Sequence, residues 1–454
     1  MKLILLLVFI FSFESLRAQD LEPETPNKRP DPIWLKSYIS SGFLSSSMDI
    51  DEELNLYTGG SFQSYLICPD TVYEMAPKRF RETSPNQLFV QKHNQNGDLQ
   101  WTAYADGQAR LNDLVIGIDG DIFITGEVWS EDLLFVSSNG RRDSLKKPHK
   151  EYERGLYLAQ FSPDGLLKDA VFFSDLPSAN GVALAQNSKG QIWLAGNYFY
   201  REESELKRSW LLLSFNPDLS LSKIMAGDSS GRSGLSSIAI DGRDQLYLGA
   251  WYAEHLSFMS VKMDLEHQSQ KPMLAKLNPE GDLIWCNTAI VDPNENGSHG
   301  VINDLHVDFW HRVYFTGQLW TYFIGKLDRD GELDWMKTST GRSSFAFGME
   351  RIEGDLLVYG HGYGSTFTSL KSAPSYSYQA KASTDFFILR EGRRGKLKQA
   401  AFNGGMGTDY ITAVKWHKGK LYALGHDLGG PAIEFGNQSL KKGRAKMWLA
   451  CFEF

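Results

Sequence analysis

The sequence predicts an all-β fold: a seven-bladed β-propeller of four-stranded antiparallel blades, with the N-terminal strand completing the C-terminal blade. Three observations predict it. Short apolar runs of strand length recur along the chain, separated by Gly, Asn and Asp turns. Seven of these runs end in glycine, at 59, 126, 196, 249, 317, 360 and 425. An isolated strand near the N-terminus also matches the one strand that the last repeat lacks.

Taken in order, residues 1–19 read as an export signal: Lys2, an apolar stretch Leu3 to Phe13, then Leu16-Arg17-Ala18-Gln19. The stretch is too short to span a bilayer, and no later segment approaches the length of a membrane helix. Residues 20–32 are polar with several prolines and read as a flexible leader. The propeller then occupies 33–454, beginning with Ile33-Trp34-Leu35-Lys36-Ser37-Tyr38-Ile39 as the closing strand.

Two half-repeats alternate. The first is strand, turn, strand-Gly, as in Leu114 to Gly126 and Leu305 to Gly317. The second opens with an apolar strand and a polar Gly turn, as in Met273 to Leu277 with Asn278-Pro279-Glu280-Gly281, and its last strand carries Trp101, Trp285 or Trp335 in three copies. The final copy, Met447 to Cys451, has no room for a following strand. An open sheet edge invites aggregation, so sewing the N-terminal strand into that sheet closes the ring. In this pattern the chain resembles the bacterial SBBP propeller repeat, with a strand order like that of NHL repeats. The resemblance covers nearly all of 33–454. It implies that each blade's first strand lines the central channel and its last is outermost. Three blades depart from the pattern, with Asp169, Lys223 and Gln399 in the Trp place, and one turn reads Gly392-Arg393-Arg394-Gly395.

Insertions follow the blade glycine at 61–86, 127–154, 197–208, 250–271, 361–384 and 426–445, all expected on one face. In the remaining blade only Gln318 to Thr321 intervene. Leu133 to Val136 and Ala432 to Phe435 alternate as small hairpins would. Loops on one face point to that face as the functional one.

Composition narrows the function. A net charge of −8 and a pI near 5.7 argue against a nucleic-acid partner. Three cysteines, Cys68, Cys286 and Cys451, form no disulfide framework. Cys286 and Cys451 read as buried apolar residues, while Cys68, in an insertion, is the candidate for reactivity. The Asp-Gly and Asn-Gly turns, such as Asp328-Arg329-Asp330-Gly331, have the Asp spacing of a calcium loop but read as hairpin turns. They lack the spacing of the sialidase Asp-box, no arginine triad can be placed, and a quinone cofactor has no support. His361 and His426 follow the blade glycine and read as polar rim residues rather than metal ligands. His306 and His311 read as surface residues of the plain face. We expect no catalytic residue, cofactor or metal.

The strongest functional signal is aromatic. Trp129, Tyr198, Tyr200, Trp251, Tyr252, Trp320 and Tyr363 fall just after the blade glycines, where Trp and Tyr serve as binding anchors or cap the core. With His361 and His426 they make a candidate partner-binding rim. The expectation is a non-enzymatic binding or scaffold propeller of the cell envelope, periplasmic rather than secreted, docking a protein of the envelope or outer membrane. The alternative is a propeller that binds or hydrolyses a glycan at the same rim. Because its loop is so short, Trp320 is where a partner's contact is expected.

Overall fold

The computed structural model describes residues 31–453, apart from 75–86, 148–153, 292–299, 363–383 and shorter breaks of one to four residues. The export signal and most of the leader lie outside the described residues. Seven antiparallel sheets, each built on four strands, form a seven-bladed β-propeller. The blade containing the shortest loop shows the plan: Val301–Val307, Val313–Gln318, Tyr322–Leu327 and Leu333–Thr338, in that order from the channel outward. We number the blades 1 to 7 from the one that opens at Phe43, so this is blade 5.

Closure is as the sequence implies. Pro32–Ser40 pairs antiparallel with Lys446–Glu453 and becomes the fourth strand of blade 7. Its Tyr38 is buried and its hydroxyl lies 3.1 Å from His93 Nδ1 of blade 1. The first and last segments of the propeller are therefore held across the ring seam.

The repeated glycine has a mechanical cause. In every blade the first strand carries a β-bulge opposite that glycine, for example between Ile302 and Asp304 opposite Gly317. The bulge pushes a backbone carbonyl toward the second strand. A Cβ on Gly126, Gly196, Gly317, Gly360 or Gly425 would lie only 1.9 to 2.5 Å from the carbonyl oxygen of Arg110, Asn180, Val301, Phe345 or Tyr410. Only glycine fits so close an approach.

The bulge also joins the blades. Asn112 Nδ2 donates to Gly181 O and Asn303 Nδ2 to Ala346 O, each at 2.7 Å, and the Ser236 hydroxyl donates to Ile302 O. Each acceptor is the carbonyl just before the next blade's bulge.

The outer rim uses a second joint. The indole N–H groups of Trp34, Trp101 and Trp285 donate to Gln95 O, Pro163 O and Arg329 O of the following blade. Each ring lies on a turn glycine of that blade, Gly97, Gly165 or Gly331. Where Lys223 replaces the Trp, its ammonium takes the indole's part and donates to Glu280 O. Where Asp169 replaces it, the next turn dispenses with glycine and puts Leu219 in the left-handed region, φ 58°. The Asx residues of these turns bond their own backbone: Asp328 Oδ1 accepts the amides of Asp330 and Glu332 at 2.9 Å each.

The insertions are largely construction. The blade 1 hairpin, Tyr65–Cys68 with Thr71–Glu74, extends the edge of blade 7 through Ile39↔Ile67. The blade 2 hairpin, Asp132–Val136 with Arg142–Lys146, extends blade 1. In blade 4, Ser257 O accepts the Trp210 indole N–H of blade 3 at 2.7 Å. In blade 7, Phe435 packs on Phe386 of blade 6. Each reaches back and covers the outer part of the preceding blade, as edge protection requires. Cys68 is thereby buried, with Gln91 Nε2 3.2 Å from its sulfur, and so is not the exposed thiol that its place in an insertion suggested. Cys451 is buried as expected, while Cys286 is half-buried.

Candidate binding site at the channel and its mouth

The first strands enclose a central cavity of about 490 Å³. Its ionisable side chains gather on one arc: Asp49 of blade 1, Lys415 of blade 7, Glu350 of blade 6, and Asp304 and His306 of blade 5, with Asp113 of blade 2 beyond Asp49. His306 therefore lines the channel rather than the plain surface, because it lies on the first strand of blade 5, Val301–Val307. His311 does sit on the plain face, with Nδ1 2.7 Å from Asp241 Oδ2.

Most of the channel carboxylates are spent on the fold. A first strand has no neighbour on its inner edge, so its amides need other acceptors. Asp49 accepts from Ile116 N at 2.9 Å, Asp113 from Leu184 N at 2.8 Å and Asp304 from Met349 N at 2.9 Å, each amide belonging to the following blade. Lys415 Nζ lies 3.3 Å from Asp49 Oδ1. Burial raises the Asp113 carboxyl and lifts Asp304 to about 6. Glu350 rises to about 7, chiefly through burial, with Asp304 and Asp49 pushing the same way and Lys415 opposing. Burial also holds His306 neutral, at about 4. Apart from His306, none of these polar residues stood out in the sequence, because they are scattered over five repeats. Their signal is positional: all follow the bulge by one or three residues.

The loop-bearing mouth is where the aromatic residues lie. Tyr252 is fully buried, with its hydroxyl 3.2 Å from Thr288 O. Tyr198 is buried and donates to Gly227 O at 2.6 Å. His361 and His426 are buried too, the first among Phe345, Phe347 and Tyr410 and the second against Tyr410. Burial lowers both histidines to about 4, so they are neutral members of an aromatic cluster between blades 6 and 7. These four side chains cap the core in this structure, and burial withholds them from a partner's surface. Tyr363 lies outside the described residues. Trp129 and Tyr200 are half-buried, whereas Trp320 is 66% exposed.

Trp251 is buried beneath Arg208, whose guanidinium carbon is 4.4 Å from the indole centre. Two similar pairs adjoin it: Arg154 over Phe199 at 4.7 Å and Arg110 over Trp129 at 6.0 Å. Arg154 and Arg110 also share Glu127, at 3.3 and 3.7 Å, and Arg232 pairs with Glu254 at 3.3 Å. The arginines come from three successive blades, so sequence spacing does not reveal them as a group.

No family model matches the chain, and no curated protein matches it. Among solved structures, it is similar to a polysaccharide lyase, an ulvan lyase bound to -[GlcA(1-4)Rha3S]-, at TM-score 0.45 and 8% identity, covering 93% of this chain and 94% of that one. It is similar to a protein of unknown function from Dyadobacter fermentans at TM-score 0.41 and 9% identity, with 75% and 93% covered. A protein of unknown function from Bacteroides caccae matches at TM-score 0.35 and 11% identity, with 65% and 82% covered. Likenesses this remote carry no information about what this chain binds.

Proposed function

We propose that this protein is a non-enzymatic binding propeller of SBBP type, exported to the bacterial envelope, where it docks a protein partner on its loop-bearing face. The observation that supports this reading is the use of the channel carboxylates. Asp49, Asp113 and Asp304 hold the next blade's amides, and Asp49 also neutralises Lys415. Among the described residues, Glu350 accepts no amide of the next blade, though its charge faces Lys415 of blade 7. A two-carboxylate hydrolysis needs both groups free to face one bond. The mouth, by contrast, offers exposed groups suited to recognition, with Trp320 foremost.

The periplasm is the proposed compartment, with an outer-membrane or secretion component as partner. The test is a photo-crosslinking residue placed at 320 in the native host. A discrete protein adduct, abolished by excess untagged parent chain but retained against untagged Trp320→Ala, supports docking. Absence of any adduct, together with glycan binding by the purified chain, would transfer the assignment to the glycan-binding alternative.

A further inference from the structure

We propose that the arginines at the mouth of blades 2 to 4 form a carboxylate-binding site, centred on Arg208, for an acidic peptide segment. This rests on the partner-binding reading above and names the chemistry of the partner's contact.

Arg208 lies on the third strand of blade 3, Glu205–Phe215, which continues with Ile192–Glu202 into a long hairpin at the mouth. Trp251 of blade 4 covers one face of its guanidinium. That stacking fixes the plane of the group and leaves its N–H edges for in-plane bonds, the geometry that grips a carboxylate in two places. Among the described residues, no carboxylate and no hydrogen-bond acceptor engages Arg208.

Charge counting supports the assignment. Among the described residues, Arg110, Arg154, Arg208 and Arg232 form ion pairs with Glu127 and Glu254 alone. This positive excess stands against a chain whose net charge is −8. Like charges held together at a half-buried site repel. Burial, followed by Arg232 and Arg154, lowers Arg208 to about 10. Such an arrangement costs stability in the empty protein, and an incoming anion relieves it.

The aromatic residues argue for a peptide over a sugar. A saccharide would stack on an open ring face. Here Phe199, Trp251 and Trp129 each give a face to an arginine, and Trp251 is buried. What remains open is a row of guanidinium edges across adjacent blades. An extended segment with several Asp or Glu residues matches such a row.

The test is fluorescence anisotropy with the whole mature protein and fluorescein-labelled hexaglutamate, with hexaglutamine as neutral control. Hexaglutamate should bind, hexaglutamine should not, and rising salt should weaken binding. Arg208→Gln should reduce affinity by about tenfold or more, the worth of a charge-assisted hydrogen bond. Arg329→Gln, on the plain face beside Asp330, should leave it unchanged. The melting temperature of Arg208→Gln should equal or exceed that of the parent, separating loss of the site from loss of fold. The proposal is overturned by failure of hexaglutamate to bind, by equal binding to Arg208→Gln, or by binding of oligogalacturonate in place of the peptide. Peptide binding without an adduct at position 320 would uphold this site and count against the docking reading. An adduct at 320 without peptide binding would do the reverse.

Discussion

Replacing Gly317 by alanine tests the account of the blade glycine. The new Cβ would sit 2.0 Å from Val301 O, 2.8 Å from Phe323 Cζ and 3.0 Å from Val301 C. Ordinary contacts are above 3 Å, so either the bulge between Ile302 and Asp304 flattens or the second strand moves away. Flattening disturbs the carbonyls that Asn303 and Ser236 tie together across blades 4 to 6. Moving the strand displaces the fully buried Phe323. A lost backbone hydrogen bond costs about 1 kcal/mol and core overpacking about 1–3, so the sum is about 3 kcal/mol. The assay is urea denaturation followed by tryptophan fluorescence, with two comparisons. Gly59→Ala meets only side chains, Leu111 at 2.8 and 2.9 Å and Leu114 at 3.3 Å, which can rotate, so about 1 kcal/mol is expected. Gly242→Ala meets nothing within 4 Å and should change stability by less than about 0.5 kcal/mol. Equal midpoints for the Gly317 and Gly242 variants would refute the bulge explanation, and with it the reason the repeat can be counted by its glycines.

Three further outcomes follow from the structure. Glu350 has a folded pKa of about 7, above its unfolded value near 4.5, so the folded state holds the extra proton and stability falls as pH rises from about 4.5 through 7. Glu350→Gln should flatten the decline between about pH 4.5 and 7 and exceed the parent at pH 8, by about 3 kcal/mol, in urea titrations at each pH. His361 and His426 are held near 4, so the unfolded chain takes up protons first, and stability is lost as pH falls from about 6.5 toward 4; His426→Phe should lessen that loss in the same titration. Deleting residues 32–40 removes the fourth strand of blade 7 and bares the edge of Lys446–Glu453, so gel filtration should show aggregates in place of the parent's discrete peak.

The architecture was legible because its signals repeat. Seven glycines, seven apolar third strands and one displaced strand were enough to count the blades and to close the ring. The outer-rim joint was partly legible too, since Trp101 and Trp285 stand in register, and its exceptions at Asp169 and Lys223 prove to be matched by the turns they meet. The candidate site was far less legible. Proximity to the blade glycine placed the aromatics on the correct face but did not say which way each points. Alternation along the strand sends Tyr252 and Tyr198 inward, while a three-residue connection leaves Trp320 outside. Arg208 was invisible for a different reason. It lies in an insertion that elsewhere serves to cover a neighbouring blade, and its companions come from other repeats.

That contrast also bears on where binding should be sought. Four insertions, in blades 1, 2, 4 and 7, spend their hairpins covering the blade before them. Blade 5 has no such hairpin, and among the described residues nothing pairs with the outer edge of the last strand of blade 4, Leu283–Asn287. The blade 3 hairpin instead runs on as a straight extension of its own blade, from Asn197↔Trp210 to Glu202↔Glu205. It is thus an insertion whose strands are carried outward along the mouth, and Arg208 is on it. If loop length alone marked function, all six insertions would be equal candidates. Edge protection accounts for four of them, and this leaves the blade 3 hairpin, with its arginine on Trp251, as the described insertion whose form the fold does not by itself require.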